Sequence, residues 1–254
     1  MTDTTAAGGG KGARAATAFA LAALGLALAC GLAELLAGLG HRWDWWHYRT
    51  GIQILRWSAT ADLAVVALAL AAAMLASMYH TRRALAASLA SAALALIVVG
   101  PPLYYWRLAG LVPPIDDIST DTDNPPRYSA VLALRKSGEN PTDYRADLAA
   151  QQKKAYPDIA PAMLGAPPAE AFARAERAAR AMGWEIVAAA PADLRIEATD
   201  TTLLFGFKDD IVIRVAAAGS GSRVDVRSQS RVGKSDLGVN ANRIRKFLRQ
   251  LTGT

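Results

Sequence analysis

Three long apolar stretches in the first half of the chain decide most of what it can fold into. They are rich in Ala, Leu and Val and cover Thr17–Leu39, Ala59–Tyr79 and Ala84–Trp106. A helix needs about 20 apolar residues to cross a bilayer, so each stretch is long enough. The sequence therefore predicts three transmembrane helices over residues 17–110, after a cytoplasmic tail over residues 1–16.

Positive charges beside these stretches predict their orientation. Lys11 and Arg14 precede the first stretch, and Arg82 and Arg83 fill the turn between the second and the third. Because Lys and Arg resist translocation, both flanks should be cytoplasmic, and the third helix then ends on the other side. The first stretch is longer than the apolar run of a cleaved signal peptide, so it should remain as a helix. We expect a bacterial inner-membrane protein with a periplasmic C-terminal domain.

Aromatic residues gather in the loop after the first stretch and at the end of the third. Trp and Tyr prefer the headgroup layer, so the loop over residues 41–57 should lie along the outer membrane surface. Pro101 and Pro102 should bend the third helix where it leaves the hydrocarbon.

Two carboxylates, Glu34 and Asp62, fall inside the predicted spans. Intramembrane acids are costly and raise the hypothesis of a proton or ion path. Because both lie near the outer ends of their helices, within reach of Arg56, Arg107 or interfacial water, the sequence favours structural pairing over transport.

Residues 111–254 carry most of the charge and predict a water-soluble α+β domain. Prolines interrupt residues 109–167, so this part should form an irregular wrapping loop. A helix should begin at Pro168, strands with a two-residue period should follow, and a last helix should cover Val239–Leu251. The LLFGF segment over residues 203–207 should continue the sheet. We expect an antiparallel sheet of about four strands with helices on one face.

Cysteine and histidine are absent from this soluble part. The chain has one Cys, Cys30, and its three His residues all lie within the first 80 positions. This excludes Ser-His and Cys-His nucleophiles from the C-terminal domain and argues against a His-ligated metal there. We therefore expect no metal and no cofactor.

The segment RSQSRVGKSDLGVNANR, from Arg227 to Arg243, is the densest polar stretch of the chain. From Arg223 to Arg249 there are eight basic and two acidic residues, a balance of 8 − 2 = +6. Two glycines among short polar side chains suit a folded loop whose donors converge on an anion. The predicted ligand-binding residues are Arg227, Ser228, Ser230, Arg231, Lys234, Ser235 and Asn240, supported by Asp209, Asp210 and Asp236.

A simpler interpretation stays open for individual residues of this segment. Asp236 or Asn240 could cap the last helix, while Arg245 and Arg249 complement its C-terminal dipole. Asp209 and Asp210 are more typical of a turn than of an acid/base pair, although they could position the arginines.

Several segments together resemble a bacterial and plastid family known only as domain of unknown function fourteen ninety-nine. The resemblance covers residues 115–251 and implies no established activity, substrate or catalytic residue. The segments that carry it are DISTDTDNPP from Asp117, AYPDI from Ala155, GW at Gly183, IEAT from Ile196, GFKDDIVIRV from Gly206 and VDVRSQSRVGKSDLGVNANRIRKFL from Val224. The three apolar stretches before it resemble the membrane-anchored proteobacterial form.

Three functional hypotheses follow. The first is a non-enzymatic envelope protein whose outer domain binds an anionic ligand, a lipid headgroup or an envelope partner, and changing Arg227 and Arg231 to Ala should abolish that binding without loss of the fold. The second is a hydrolase that uses Ser228 or Ser235 with Lys234, or the Asp209–Asp210 pair. The third is a structural subunit that packs through the small-residue faces of its helices. Nucleic acid is not an expected partner, because an exported domain would not meet it.

Overall fold

The computed structural model describes residues 4–253, with side chains from residue 10 onward, and the first residues of the predicted tail lie outside this range. The chain divides into two compact units: the first runs to Arg107 and includes Leu204–Gly206, and the second contains Leu108–Leu203 and the residues from Phe207 onward. The first unit consists of three long helices, α1 (Thr4–Arg42), α2 (Tyr48–Met78) and α3 (Arg82–Ala109). Each is long enough to cross a membrane and has an apolar window with a mean hydropathy of 2.1. The three long apolar helices predicted for a membrane anchor are therefore confirmed.

The ends of these helices differ from the sequence prediction. α1 already begins at Thr4, so most of the predicted tail is helical. α2 begins at Tyr48, where His47 Nδ1 accepts the Arg49 N–H at 3.3 Å, and it continues without a break into the second span. The prediction of a separate surface loop over residues 41–57 is therefore wrong for residues 48–57, which belong to α2. α3 passes through both prolines and ends only at Ala109.

Small residues form the contact between the three helices. The buried positions of α1 and α2 repeat at alternating intervals of four and three residues, which is the spacing of a left-handed helix seam. Alanines approach one another in layers, so the backbones can pack closely. Successive layers contain Ala16, Ala72 and Ala84, then Ala23, Ala69 and Ala92, then Ala27, Val65 and Ala95. The small-residue faces predicted for a partner subunit are thus used within the chain.

Glu34 and Asp62 both occupy this seam and are buried. Among the described residues neither forms an ion pair with Arg56 or Arg107, and the Arg56 guanidinium lies 5.9 Å from the centre of the Trp106 ring. The predicted structural pairing with these arginines is therefore wrong.

The second unit is an α+β domain, as predicted. Its sheet has six antiparallel strands in the order β1-β6-β5-β4-β3, and the short β2 pairs with the same edge of β6 as β1 does. The strands are β1 (Asp117–Ser119), β2 (Ala162–Leu164), β3 (Glu185–Ala190), β4 (Arg195–Thr201), β5 (Lys208–Ala218) and β6 (Gly221–Ser230). The helices are α4 (Ala146–Ala155), α5 (Pro168–Ala181) and α6 (Val239–Thr252), and 3-10 turns cover Ala130–Leu134 and Pro191–Asp193.

The stretch predicted to be irregular before Pro168 therefore contains β1, α4 and β2. The two strands have only three residues each, too few to show a two-residue period. The prediction that LLFGF continues the sheet is wrong, because β4 ends at Thr201 and a turn follows. In that turn the Thr202 N–H donates to the Phe207 carbonyl at 2.9 Å.

The sheet has one apolar face and one polar face. Helices α5 and α6 cover the apolar face, where Ile196, Ile213 and Val226 are fully buried. There the rings of Trp184 and Phe247 stack with their centres 5.3 Å apart. The polar face carries the alternate side chains of β4, β5 and β6, and residues 120–145 wrap over it. The predicted wrapping segment thus completes a second layer built on charged groups.

Candidate functional site

Arg227, the first predicted donor, lies inside the domain between β6 and the wrapping segment. Its guanidinium donates to both carboxylate oxygens of Asp117, at 2.9 and 2.6 Å, and to the Thr142 carbonyl at 2.7 Å. The rings of Tyr128 and Tyr144 lie 4.7 and 5.4 Å from it. Burial raises the pKa of Asp117, and Arg227 opposes that shift. Only 1% of Arg227 is exposed, so these hydrogen bonds and ring contacts lie inside the domain.

Arg231 forms a second buried ion pair on the same face. It donates to Asp210 with contacts of 2.7 to 3.1 Å and to the Leu134 carbonyl at 3.0 Å. Asp210 also accepts from Arg135 at 2.9 Å and from the Thr199 hydroxyl at 3.0 Å. Asp210 thus positions two arginines, which in turn hold the wrapping segment.

Asn240 is the centre of a third network, on the helix side of the sheet. Its side-chain oxygen accepts from the Ser228 hydroxyl at 2.6 Å and from Arg243 at 2.5 Å. Its amide nitrogen donates to the Asp116 carbonyl at 3.1 Å and to the Ser230 oxygen at 3.0 Å. Three of the predicted donors therefore connect α6 with β6 and the residue before β1.

Arg243 was not among the predicted site residues, although it is part of this network. It lies one helical turn after Asn240, so the two side chains share a face of α6. Its guanidinium contacts Asp209 at 2.6 Å and Asp200 at 2.9 Å. The spacing of three residues was the signal that could have indicated the pair.

Asp236 acts as the cap of α6, in agreement with the simpler interpretation. Its carboxylate accepts the backbone N–H groups of Gly238 at 2.7 Å and Asn240 at 2.8 Å. These are N–H groups at the helix start that have no partner within the helix. Burial raises the pKa of Asp236 to about 6.

Asp209 and Asp210 lie in β5, so the turn that the sequence favoured for them is wrong. The acid/base pair of the hydrolase hypothesis does not form either, because they are neighbours in a strand. Successive side chains of a strand point to opposite faces. Asp209 contacts Arg243 on the helix side, and Asp210 contacts Arg231 on the other side. Ser228 is equally unsuited to the hydrolase hypothesis, because its hydroxyl is buried and engaged with Asn240.

The seven predicted ligand-binding residues thus fall into two groups. Five are buried and hydrogen-bonded within the domain: Arg227, Ser228, Ser230, Arg231 and Asn240. Ser235 is half-buried and accepts the Leu237 N–H at 3.3 Å. Lys234 is exposed, and no described residue forms a hydrogen bond or an ion pair with it. Of the predicted set, Lys234 is the cation that faces solvent.

Lys234 lies at the rim of a cleft of about 270 Å³, where the segment before β1 meets the loop after β6. Arg145 lies on the same lining with 55% of its side chain exposed, and its contact with Asp147 is 3.6 Å long. Asp116, Asp117 and the exposed Asp143 form the acidic part of the lining.

Asp116 is held in place by Asn140, whose amide donates to it at 2.9 Å. Burial raises the pKa of Asp116, and the neighbouring carboxylate of Asp117 adds to the shift. The cleft therefore combines the exposed Asp143, Arg145 and Lys234 at its rim with a floor of the buried Asp116 and Asp117. Within residues 4–253 no group of three His, Cys, Asp or Glu side chains is placed to hold a metal ion.

The comparisons with known proteins agree with the resemblance seen in the sequence. The model of the family described as "Protein of unknown function (DUF1499)" matches residues 117–251, slightly more than half of the chain. Neither the curated proteins nor the solved structures gave a match. The matched range runs from the first strand to the last turn of α6 and includes all three buried networks. The chain therefore belongs to the DUF1499 family and carries its domain after three helices that are long and apolar enough to span a membrane.

Proposed function

We propose that this protein is an inner-membrane binding protein whose C-terminal domain, on the periplasmic side, takes an anionic group of a lipid headgroup or envelope partner in the cleft between Arg145 and Lys234. The observation that carries this proposal is the difference between the cations of the domain. Arg227, Arg231 and Arg243 have their donors on internal acceptors, whereas Lys234 has none. Lys234, at the rim of the cleft, therefore has N–H donors available to a ligand.

The lining of the cleft indicates the kind of ligand. A guanidinium and an ammonium group at the rim suit a phosphate or a carboxylate. The floor carries Asp116, with Asp117 already neutralised by Arg227 at 2.6 Å. Carboxylates beside two cations in one cleft favour a ligand that joins an anionic group to hydroxyl or ammonium donors. Headgroups built on a phosphodiester have this composition.

Binding of soluble headgroup analogues to the full chain in a neutral detergent tests this function. We expect glycerol 3-phosphate or phosphoethanolamine to bind, and we expect Arg145→Gln combined with Lys234→Gln to weaken binding by roughly tenfold or more, since charge-assisted hydrogen bonds are lost. Isothermal titration calorimetry measures the affinity.

The matched control removes two other exposed cations, by Arg177→Gln with Lys246→Gln on α5 and α6. This variant has the same net charge as the cleft variant and should bind as the natural chain does. An equal loss of affinity in both variants would show attraction to overall charge rather than a site. Unchanged affinity in the cleft variant would reject the cleft.

A further inference from the structure

The titratable side chains inside the apolar parts of the three helices gather at one place. They are Cys30 and Glu34 on α1 and Asp62 on α2, and α3 contributes none. The apolar parts considered are residues 17–39, 58–78 and 84–103. Acids scattered by chance over three helices of this length would not be expected to face one another.

Both carboxylates lie inside the helix packing rather than toward lipid. Asp62 is 0% exposed and Glu34 is 8% exposed. On α1, Glu34 continues the seam of Ala23 and Ala27, and on α2, Asp62 precedes Val65 by one turn. The side chain of Asp62 lies within interaction range of the Glu34 carboxyl group and the Cys30 thiol. The two acids thus meet between α1 and α2.

The donor near this pair is a weak one, the Cys30 thiol. Both oxygens of Asp62 and Oε1 of Glu34 are buried and have no hydrogen-bond partner. Ionised carboxylates only accept hydrogen bonds, so neither acid can satisfy the other while both are charged. No described arginine or lysine forms an ion pair with them. Burying a carboxylate without a cation or a strong donor is costly, and a bound positive charge removes that cost.

We propose that Glu34 and Asp62 form an intramembrane proton-binding pair. With one proton, one carboxyl group donates to the other, the pair carries a single negative charge, and a buried acceptor gains its donor. Two facing carboxylates share a proton in this way because like charges at short range cannot both ionise. A proton on one carboxyl group supplies the hydrogen-bond donor that the pair needs.

Infrared spectroscopy of the full chain in neutral-lipid nanodiscs tests this proposal, because a protonated carboxyl group has its own C=O stretch. We expect difference spectra of the natural chain minus Glu34→Gln/Asp62→Asn to show that band at neutral pH. Subtraction removes the signal of Asp236 and other acids of the C-terminal domain. Asp44→Asn, which removes an exposed acid outside the seam, should leave the band unchanged.

Single variants provide a second measurement if the double variant does not fold. In Asp62→Asn the new amide donates to Glu34, so the band should titrate at a pH lower by about one unit or more. A natural chain without the band, or a band that both single variants leave at the same midpoint, would overturn the proposal. Sodium-dependent ²³Na signals without any protonated carboxyl would overturn it too, in favour of a cation.

Discussion

At the scale of residues, the buried arginines explain how a segment with little regular structure is held on the sheet. Backbone carbonyls outside helices and strands need donors when they are buried. Arginine offers five N–H groups in a rigid plane, so it can bind a carboxylate and carbonyls at once. Arg227 and Arg231 do this for Thr142 and Leu134.

The sequence predicted where these residues lie in the chain but not what they contact. The sequence predicted a folded loop from Arg227 onward, whereas β6 continues to Ser230. The alternation of the strand puts Arg227 and Arg231 on one face, which is usually expected to meet water. Residues 120–145 cover this face, and they meet the two arginines through the backbone carbonyls of Pro126, Leu134 and Thr142. A backbone carbonyl has no signature in the sequence, so the burial of these arginines could not be foreseen.

Replacing Arg227 by Met should therefore destabilise the domain. The change leaves Asp117 buried without its cation, which costs about 3 to 5 kcal/mol in the free energy of unfolding. Pulse proteolysis of the full chain in increasing urea measures that free energy, and Arg177→Met on the surface of α5 is the control. The earlier expectation that Arg227 can be truncated without loss of the fold would regain support if both variants unfold at the same urea concentration.

The cap of α6 should make stability depend on pH. Burial raises the pKa of Asp236 from its ordinary 3.8 to about 6, so the folded domain binds this proton more tightly than the unfolded chain does. The resulting stabilisation is complete below the unfolded value and is lost as the pH rises through about 6. Asp236→Asn is neutral throughout this range.

The difference in unfolding free energy between the natural chain and Asp236→Asn should change by about 2 kcal/mol between about pH 4 and about pH 7, with the natural chain losing stability relative to the variant. The same urea experiment at several pH values measures it. Asp193→Asn, at an exposed acid, should give a difference that varies much less. A constant difference for Asp236→Asn would mean that its proton affinity is the same in both states.

At the scale of elements, periodic segments were predicted well and short ones were not. α5, the long strands and α6 have enough residues for a period to appear, and α6 begins at Val239 as predicted. β1 and β2 exist because they add to the edge of β6, so their structure depends on a distant partner. Such tertiary effects leave no local pattern.

The packing of α1 against α2 depends on a close approach at Gly51. A Cβ atom at this position would run into the Ala37 carbonyl oxygen. Gly51→Leu should therefore destabilise the helical unit by roughly 1 to 3 kcal/mol through overpacking. Unfolding of the full chain in mixed micelles, followed by circular dichroism, measures the change.

Gly25→Leu is the matched control for this variant, since nothing lies within 4 Å of a Cβ atom there. The control lies in α1, as Ala37 does, and makes the same change in side-chain size. Equal stability of the two variants would show that α1 and α2 are not in close contact at Gly51.

At the scale of the whole molecule, the two units distribute their apolar side chains in opposite ways. The first unit exposes large apolar side chains such as Leu21, Leu70 and Ile97, while its small residues face inward. This is the reverse of a water-soluble bundle and matches a helix bundle in lipid. The C-terminal unit has its apolar side chains between the sheet and α5 and α6. The sequence predicted this division because charge and apolar length separate the halves.

Cysteine labelling tests most directly whether the three helices place the C-terminal domain on the outer side of the inner membrane. The single native cysteine allows a clean design, in which Cys30→Ala is combined with either Ser137→Cys in the domain or His80→Cys in the turn between α2 and α3. Both positions are exposed. We predict that a membrane-impermeant maleimide labels Ser137→Cys in intact spheroplasts and labels His80→Cys only after permeabilisation. Labelling of His80→Cys alone in intact spheroplasts would contradict the proposed orientation.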